Sequence, residues 1–553
     1  MLVLAGRQHP LADLTVVARF DLASAISFVA PLQRVRDQET RPQRDEPTVE
    51  RFREWVSHHS SLKREQPMKL KGQQQMKSKG KQPMKSITAI VLILGSAAPT
   101  ATFASAQGGV GGSASAQVDP VSQWNAIAVK ATVTADEAPL PQTRTLAMVQ
   151  LAIHDALNAI DARFERYAFM GTAEAGASVE AAIAAAARDA FAAAVIVAEG
   201  PGFGTAEQQA AAVAQVDKAY AAVLAEIPDG SAKANGVAVG QAAAAAIVAL
   251  RNEDHAADAV PYIPGTEAGD WQPTPNPIPF DPPAPADLLP AGFPGWGRVT
   301  PFALRDSTQF EPAGPPDLTS SRYARDFNEV KAIGEQHSTT RTADQSAIAR
   351  FWYEASGASW SRIASVVAQS RGLDTWQTAR LLALVNVATA DGFIAGFQAK
   401  YDFNFWRPVT AIRFTSAVNP ETEPDPNWST LLDTPNVPDY PSTHSVLGGA
   451  ASQVLRRFFR RDGIAFTTTS GVPFPGLTRS FSSFSQAARQ NGDSRVFCGI
   501  HFRSAVEDGI REGTQIGRFV FNHILRPLER DEGEHDDRDR DDNDSQDARN
   551  LSD

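Results

Sequence analysis

Between residues 120 and 255 alanine is so frequent, and the larger apolar residues so regularly spaced, that few folds are open to the segment. In TRTLAMVQLAIHDALNAIDARF (143–164), Leu146, Val149, Ile153, Leu157 and Ile160 recur at steps of three and four, the period of one helix face. The stretches 178–198, 205–227 and 232–251 behave likewise. Alanine is the best helix former and lets helices pack closely, so this half reads as a helical bundle with no place for strands. Residues 256–320 then turn to proline, glycine and tryptophan, which allow neither long helices nor central strands and mark an ordered connection. Helical patterns resume at 321–335, 341–355, 358–370 and 375–400, the last opened by Asp374 and Gln377 in the spacing of a capping box, and continue to about 527. The predicted fold is all-α, with two helical bundle-like halves: 107–255, and 321–527 beyond the 256–320 connection.

The two ends of the chain read differently. Residues 68–86 carry six lysines and no acid, and ITAIVLILGSAAPTATF follows before Ala104, Ser105 and Ala106, the layout of a secretory signal over 68–106. Its apolar run is shorter than the roughly twenty residues a spanning helix needs, so cleavage, export to the periplasm or medium, and no stable membrane span are expected. Residues 1–67 then read as an over-extended start; the other reading is a cytoplasmic extension before an uncleaved anchor. At the far end, residues 529–553 hold twelve acids and four arginines, so 528–553 is expected to be an acidic disordered tail. With a net charge of -11 the chain has no broad basic surface for nucleic acid. Its single cysteine, Cys498, excludes an intramolecular disulfide and every multi-cysteine zinc site.

Three stretches collect the chemistry: KYDFNFWRP (400–408), YPSTHS (440–445) and SRVFCGIHF (494–502). Lys400 and Arg407 lie two helical turns apart, so on one helix both would point the same way before Pro408 ends it. Pro441 suits the first turn of a helix running to Gly463, which would leave the amides of Ser442, Thr443 and His444 free for an oxyanion, with the Ser442 hydroxyl beside them. Gly448 and Gly449 would admit a neighbouring element. Arg495 adds a planar set of donors, and His501 follows near another helix start. Three cations, a helix N-terminus and two histidines suit a tetrahedral or trigonal-bipyramidal oxyanion such as phosphate or vanadate. Ser442 and His444, two apart on a helix, do not face each other as a hydrolase pair would, and no GxSxG turn is present. Cys498 and His154 read as core residues.

The order KxxxxxxRP, PSxH, SRxxxxxH resembles the signature shared by vanadium-dependent haloperoxidases and the type 2 phosphatidic acid phosphatase superfamily, with the haloperoxidase branch the closer over about residues 120–525. The resemblance implies a vanadate cofactor held by Lys400, Arg407, Arg495, Ser442 and the Thr443 amide, with His501 as the metal ligand. His444 would be the acid-base catalyst and Lys400 would polarise the bound peroxide, so that hydrogen peroxide and halide, with an organic acceptor as an optional further partner, give hypohalous acid. The runner-up is an acid phosphatase with His501 as phosphorylated nucleophile; a third reading is a non-catalytic oxyanion-binding protein. Halide preference and oligomeric state are not legible. Departures from the family pattern are Thr443 where glycine is common, Val437 where the position seven before the acid-base histidine is aromatic or histidine, and Ala505 where an aspartate usually orients the last histidine. In the absence of that aspartate, a backbone carbonyl or a carboxylate such as Asp391 is expected to take the second N–H of His501.

Overall fold

The computed structural model describes residues 119–196, 202–274, 290–416 and 418–528. The expected over-extended start, signal segment and nearly all of the acidic tail lie outside the described residues.

Thirteen α-helices are described. In the Ala-rich half they are α1 (Pro120–Thr134), α2 (Pro139–Ile160), α3 (Val179–Ile196), α4 (Ala206–Glu226) and α5 (Ser231–Arg251). After the connection come α6 (Ser321–Ile333), α7 (Ala343–Phe351), α8 (Ser356–Ser370), α9 (Thr375–Phe403), α10 (Pro408–Arg413), α11 (Thr443–Phe458), α12 (Phe484–Phe497) and α13 (Arg503–His523). The Asp374–Gln377 capping box starts α9 as expected. Two helices, α5 and α9, are long and apolar enough to cross a membrane by length and composition, but α9 is almost wholly buried and serves as the central core helix. It packs on α2 from the first half and on α11 from the second, so a continuous apolar core runs through both.

The most extensive helix pair is α11 with α13. Gly509, Gly513 and Gly517 repeat every four residues and lay one bare face of α13 against α11; a Cβ at 513 or 517 would overlap the carbonyl oxygen of Val446 or Ala450. Gly449 on the opposing helix fits against Ile510 in the same way. This close approach brings the starts of α11 and α13 side by side.

The second half is not purely helical. Phe466–Thr469 and Thr478–Phe481 form a small antiparallel hairpin, β1 and β2, with Phe466 opposite Phe481. The cause is a β-branched run, Thr467 to Thr469, followed by Gly471, Pro473, Pro475 and Gly476, which no helix accommodates. The Phe466 and Phe481 rings, 5.2 Å apart, anchor it to the core.

Candidate active site

Lys400 occupies the last turn of α9. Contrary to the expectation that Arg407 shares its helix, Asn404 turns left-handed (φ 49°) and ends α9, and Arg407 caps α10 with Pro408 at its first position. The physical reason is readable: a residue before proline is pushed out of the helical region, so Arg407 takes extended backbone and Pro408 starts a helix instead of ending one. Both cations still reach one pocket. Lys400 Nζ donates to the carbonyls of Pro438 (2.7 Å) and Asp439 (3.0 Å). Arg407 Nε donates to Val437 O (2.7 Å) and Nη1 to Ile500 O (2.8 Å). Segment 437–439 is thereby fixed immediately before YPSTHS.

Helix α11 begins at Thr443 with Ser442 as N-cap and a cis Tyr440–Pro441 bond just before it. Pro441 therefore precedes the helix, and it ends at Phe458, short of Gly463. The Ser442 amide is not free: it donates to Ala505 O (2.9 Å) and ties the start of α11 to that of α13. The amides of Thr443 and His444, in the first turn, have no acceptor within the helix and carry its positive dipole end. Ser445 Oγ donates to Ser442 Oγ (3.0 Å), which leaves the Ser442 proton available. Thr443 finds its room at Gly396 of α9, where a Cβ would come within 2.9 Å of Thr443 Cγ2.

Sequence reasoning missed the third wall. Helix α7 stops at Phe351, and the carbonyls of Trp352 and Glu354 in the turn after it become acceptors. Glu354 O takes a hydrogen bond from His444 Nε2 (3.2 Å). A carbonyl only accepts, so Nε2 carries the proton and neutral His444 keeps Nδ1 as its basic nitrogen. Arg495, in the last turn of α12, lies 5.5 Å from the Tyr353 ring and reaches Trp352 O only at 3.5 Å; its Nε has no partner.

His501 lies two residues before α13, close to the expected helix start. Arg407 Nη1 is within hydrogen-bond reach of its Nε2 (3.0 Å) and 3.4 Å from its Nδ1. Nδ1 lies 3.0 Å from Asp439 Oδ1. Asp391, the carboxylate expected there, is elsewhere: it accepts the amides of Phe302, Ala303 and Leu304. The expectation fails because those amides occupy its oxygens, whereas Asp439 stands in the loop that Lys400 and Arg407 pin beside His501.

Lys400, Arg407, Ser442, Thr443, Arg495 and His501 are all buried. Burial, then the Arg407 charge, drives the Lys400 ammonium well below its usual range. Arg407 is pushed down to about 10, chiefly by burial. His501 is lowered by burial and by Arg407, Lys400 and Arg495, and His444 by burial and Arg495, so both are neutral imidazoles. Contacts join Lys400, Arg407 and His501 around Asp439, while His444 and Arg495 meet the 352–354 turn. Burial pushes the nearby acids up, Asp439 to about 7 and Glu512 to about 8, so each is only partly ionised near neutral pH. Cys498, buried and pushed up to about 11, is a core thiol, and His154 is fully buried as expected.

Among the described residues no group of three or more His, Cys, Asp or Glu side chains could hold a cation. The pocket is cationic, with an orphaned buried guanidinium donor and free helix-start amides, and it fits an oxyanion.

A family model described as the VCPO second helical-bundle domain matches residues 380–530, the stretch that contains all three motifs. Vanadium chloroperoxidase of Curvularia inaequalis is 31% identical over 170 residues, a match covering 23% of this chain and 27% of that protein. The chain thus spans about a quarter of that relative. A crystal structure of a bacterial vanadium-dependent iodoperoxidase superposes with a TM-score of 0.61 at 28% identity, covering 74% of this chain and 98% of the other. Residues 380–530 thus fall in that helical-bundle domain family, and the chain as a whole is similar in sequence and fold to vanadium haloperoxidases. A holo-type bacterial vanadium-dependent chloroperoxidase, 20% identical with a TM-score of 0.56 over 72% of this chain and 95% of its own, has the same fold. The chain is mostly helical, as the periodicity of its apolar residues predicts.

Proposed function

We propose that the protein is a vanadate-dependent haloperoxidase that oxidises halide with hydrogen peroxide to hypohalous acid. The observation that carries this reading is the Arg495 guanidinium, buried with an unpartnered Nε, in the same neighbourhood as Lys400, Arg407 and a neutral His501. Unpaired buried cations are costly, and a resident oxyanion removes that cost.

Lys400, Arg407 and Arg495 would balance the charge of vanadate, the Ser442 hydroxyl and Thr443 amide would donate to it, and His501 Nε2 would be its protein ligand. Bound there, vanadate would supply a Lewis-acidic centre that activates peroxide toward halide. His444, with Nε2–H held by Glu354 O, presents Nδ1 to accept and return a proton. Lys400, in its ammonium form, would draw electron density from peroxide oxygen. Val437 offers no aromatic wall for the halide, and an organic acceptor would take up the hypohalous product. We further propose that the protein is exported, to periplasm or medium, without a stable membrane span.

The test is an assay of purified protein with peroxide and bromide, with and without added vanadate, beside a phosphate-ester assay without vanadate. Halide oxidation that requires vanadate is expected. Ester hydrolysis without any peroxidase activity would instead make His501 a phosphorylated nucleophile.

A further inference from the structure

His501 must present one ring nitrogen to the pocket, and a neutral imidazole does so reliably only when the other N–H is held. Position 505, one turn beyond His501, is a buried alanine whose carbonyl is engaged by the Ser442 amide. The Ile500 carbonyl is engaged by Arg407. Asp439 remains, with Oδ1 3.0 Å from Nδ1 and 3.8 Å from Arg407 Nη1.

We infer that Asp439 is the positioning residue of His501, a carboxylate supplied by the loop before α11 in place of one from the first turn of α13. Two observations and one chemical consequence carry this. Asp439 is wholly inaccessible, and neither of its oxygens completes an aligned hydrogen bond, with His501 Nδ1 at 3.0 Å the near approach and the Phe502 amide also facing it. A carboxylate in such a place is expensive to keep unless it has a task. Its backbone is clamped: the Asp439 N–H donates to Phe405 O (2.8 Å) and its carbonyl accepts from Lys400 Nζ (3.0 Å). The loop therefore has little freedom to carry the carboxylate away. Finally, Nδ1–H directed at Asp439 leaves the Nε2 lone pair unprotonated, the nitrogen a metal or phosphoryl centre requires.

The role of Asp439 rests on the proposed anion chemistry only for its consequence, and the experiment separates the two. Full-length protein with ¹⁵N-labelled histidine is examined without vanadate, so that the His501 tautomer is read directly; vanadate affinity is then titrated. Wild type is expected to hold the proton at Nδ1. Asp439→Ala should shift His501 towards a mixture of tautomers and weaken vanadate binding about 10 to 100-fold, the usual worth of such a partner. Asp439→Asn, whose amide oxygen still accepts, should fall between, and it carries the test if Asp439→Ala fails to fold. Adding Ala505→Asp to Asp439→Ala should restore the Nδ1 proton and part of the affinity. An unchanged His501 tautomer in Asp439→Ala would overturn the inference, as would weakened affinity without any change in tautomer. A tautomer that shifts as expected in a protein whose wild type binds no vanadate would support the role of Asp439 and sink the haloperoxidase reading.

Discussion

The two halves of the molecule each bury a group of arginines, and they treat them in opposite ways. In the first half, Arg144 and Arg251 share Asp254: Arg144 Nε (2.8 Å) and Arg251 Nε (2.9 Å) both donate to its Oδ2. Spare guanidinium protons go to the carbonyls of Arg251, Thr300 and Pro301, and Phe302 lies 3.8 Å beneath the Arg251 guanidinium. That cluster is closed. In the second half, Arg495 has an unpartnered Nε and one long contact, and burial raises the acids beside Lys400, Asp439 to about 7 and Glu512 to about 8. Burial of the same residue type therefore marks structure in one place and a candidate binding site in the other; the unsatisfied donor makes the distinction.

The largest expected effect exploits that contrast. Asp254→Ala removes the shared acceptor and leaves two buried arginines facing each other, which should cost about 3 to 5 kcal/mol in urea unfolding. Arg495→Met, made in the vanadate-free protein, removes a buried charge that has no ion partner and should leave stability unchanged or raise it by about 1 to 4 kcal/mol. If Arg495→Met costs as much as Asp254→Ala, the second cluster is as closed as the first and the anion reading loses its basis.

The next effect separates the histidines. His501→Ala removes the nitrogen that would ligate vanadate and should abolish tight binding. His444→Ala should leave vanadate affinity largely intact and slow halide oxidation about 10² to 10⁴-fold. Equal losses of affinity in both would show that the roles are exchanged or shared.

How far these residues were legible depended on what set each of them. The helices of both halves declare themselves because burial of one face imposes a period, and the capping box at Asp374 is local chemistry. The six candidate anion-site residues Lys400, Arg407, Ser442, Thr443, Arg495 and His501 stand out as an ordered set of residue types. The pairing of Asp439 with His501, and of Glu354 O with His444, leaves no such trace, since each joins segments far apart in the chain and has no period. Two signals were present in the sequence without being decisive there: the stripe Gly509, Gly513, Gly517 that brings α13 onto α11, and Arg407 before Pro408, which forbids the single helix from Lys400 to Arg407. The threonine run before Gly471 likewise marks the hairpin inside an otherwise helical block.

The smallest effect concerns Lys400, where the open cluster should respond to pH and the closed one should not. Burial and Arg407 disfavour its ammonium, so without an anion its proton is lost at lower pH than for an ordinary lysine. A bound oxyanion favours the charged form, so binding takes up a proton wherever the free protein has already lost it. By linkage, affinity then falls as pH rises above the depressed pKa of the free protein, and stops falling on this account once pH exceeds the higher pKa of the bound state. Vanadate and phosphate change their own protonation over the same range, so the measurement is a difference: calorimetric affinity from neutral to alkaline pH for wild type and for Lys400→Met. The variant should bind more weakly at neutral pH and show a shallower decline, the two curves converging at the alkaline end. Parallel curves would mean that Lys400 keeps its proton in the empty pocket, in which case Asp439, Glu512 or both are ionised beside it and the pocket is less cationic than its three buried bases suggest.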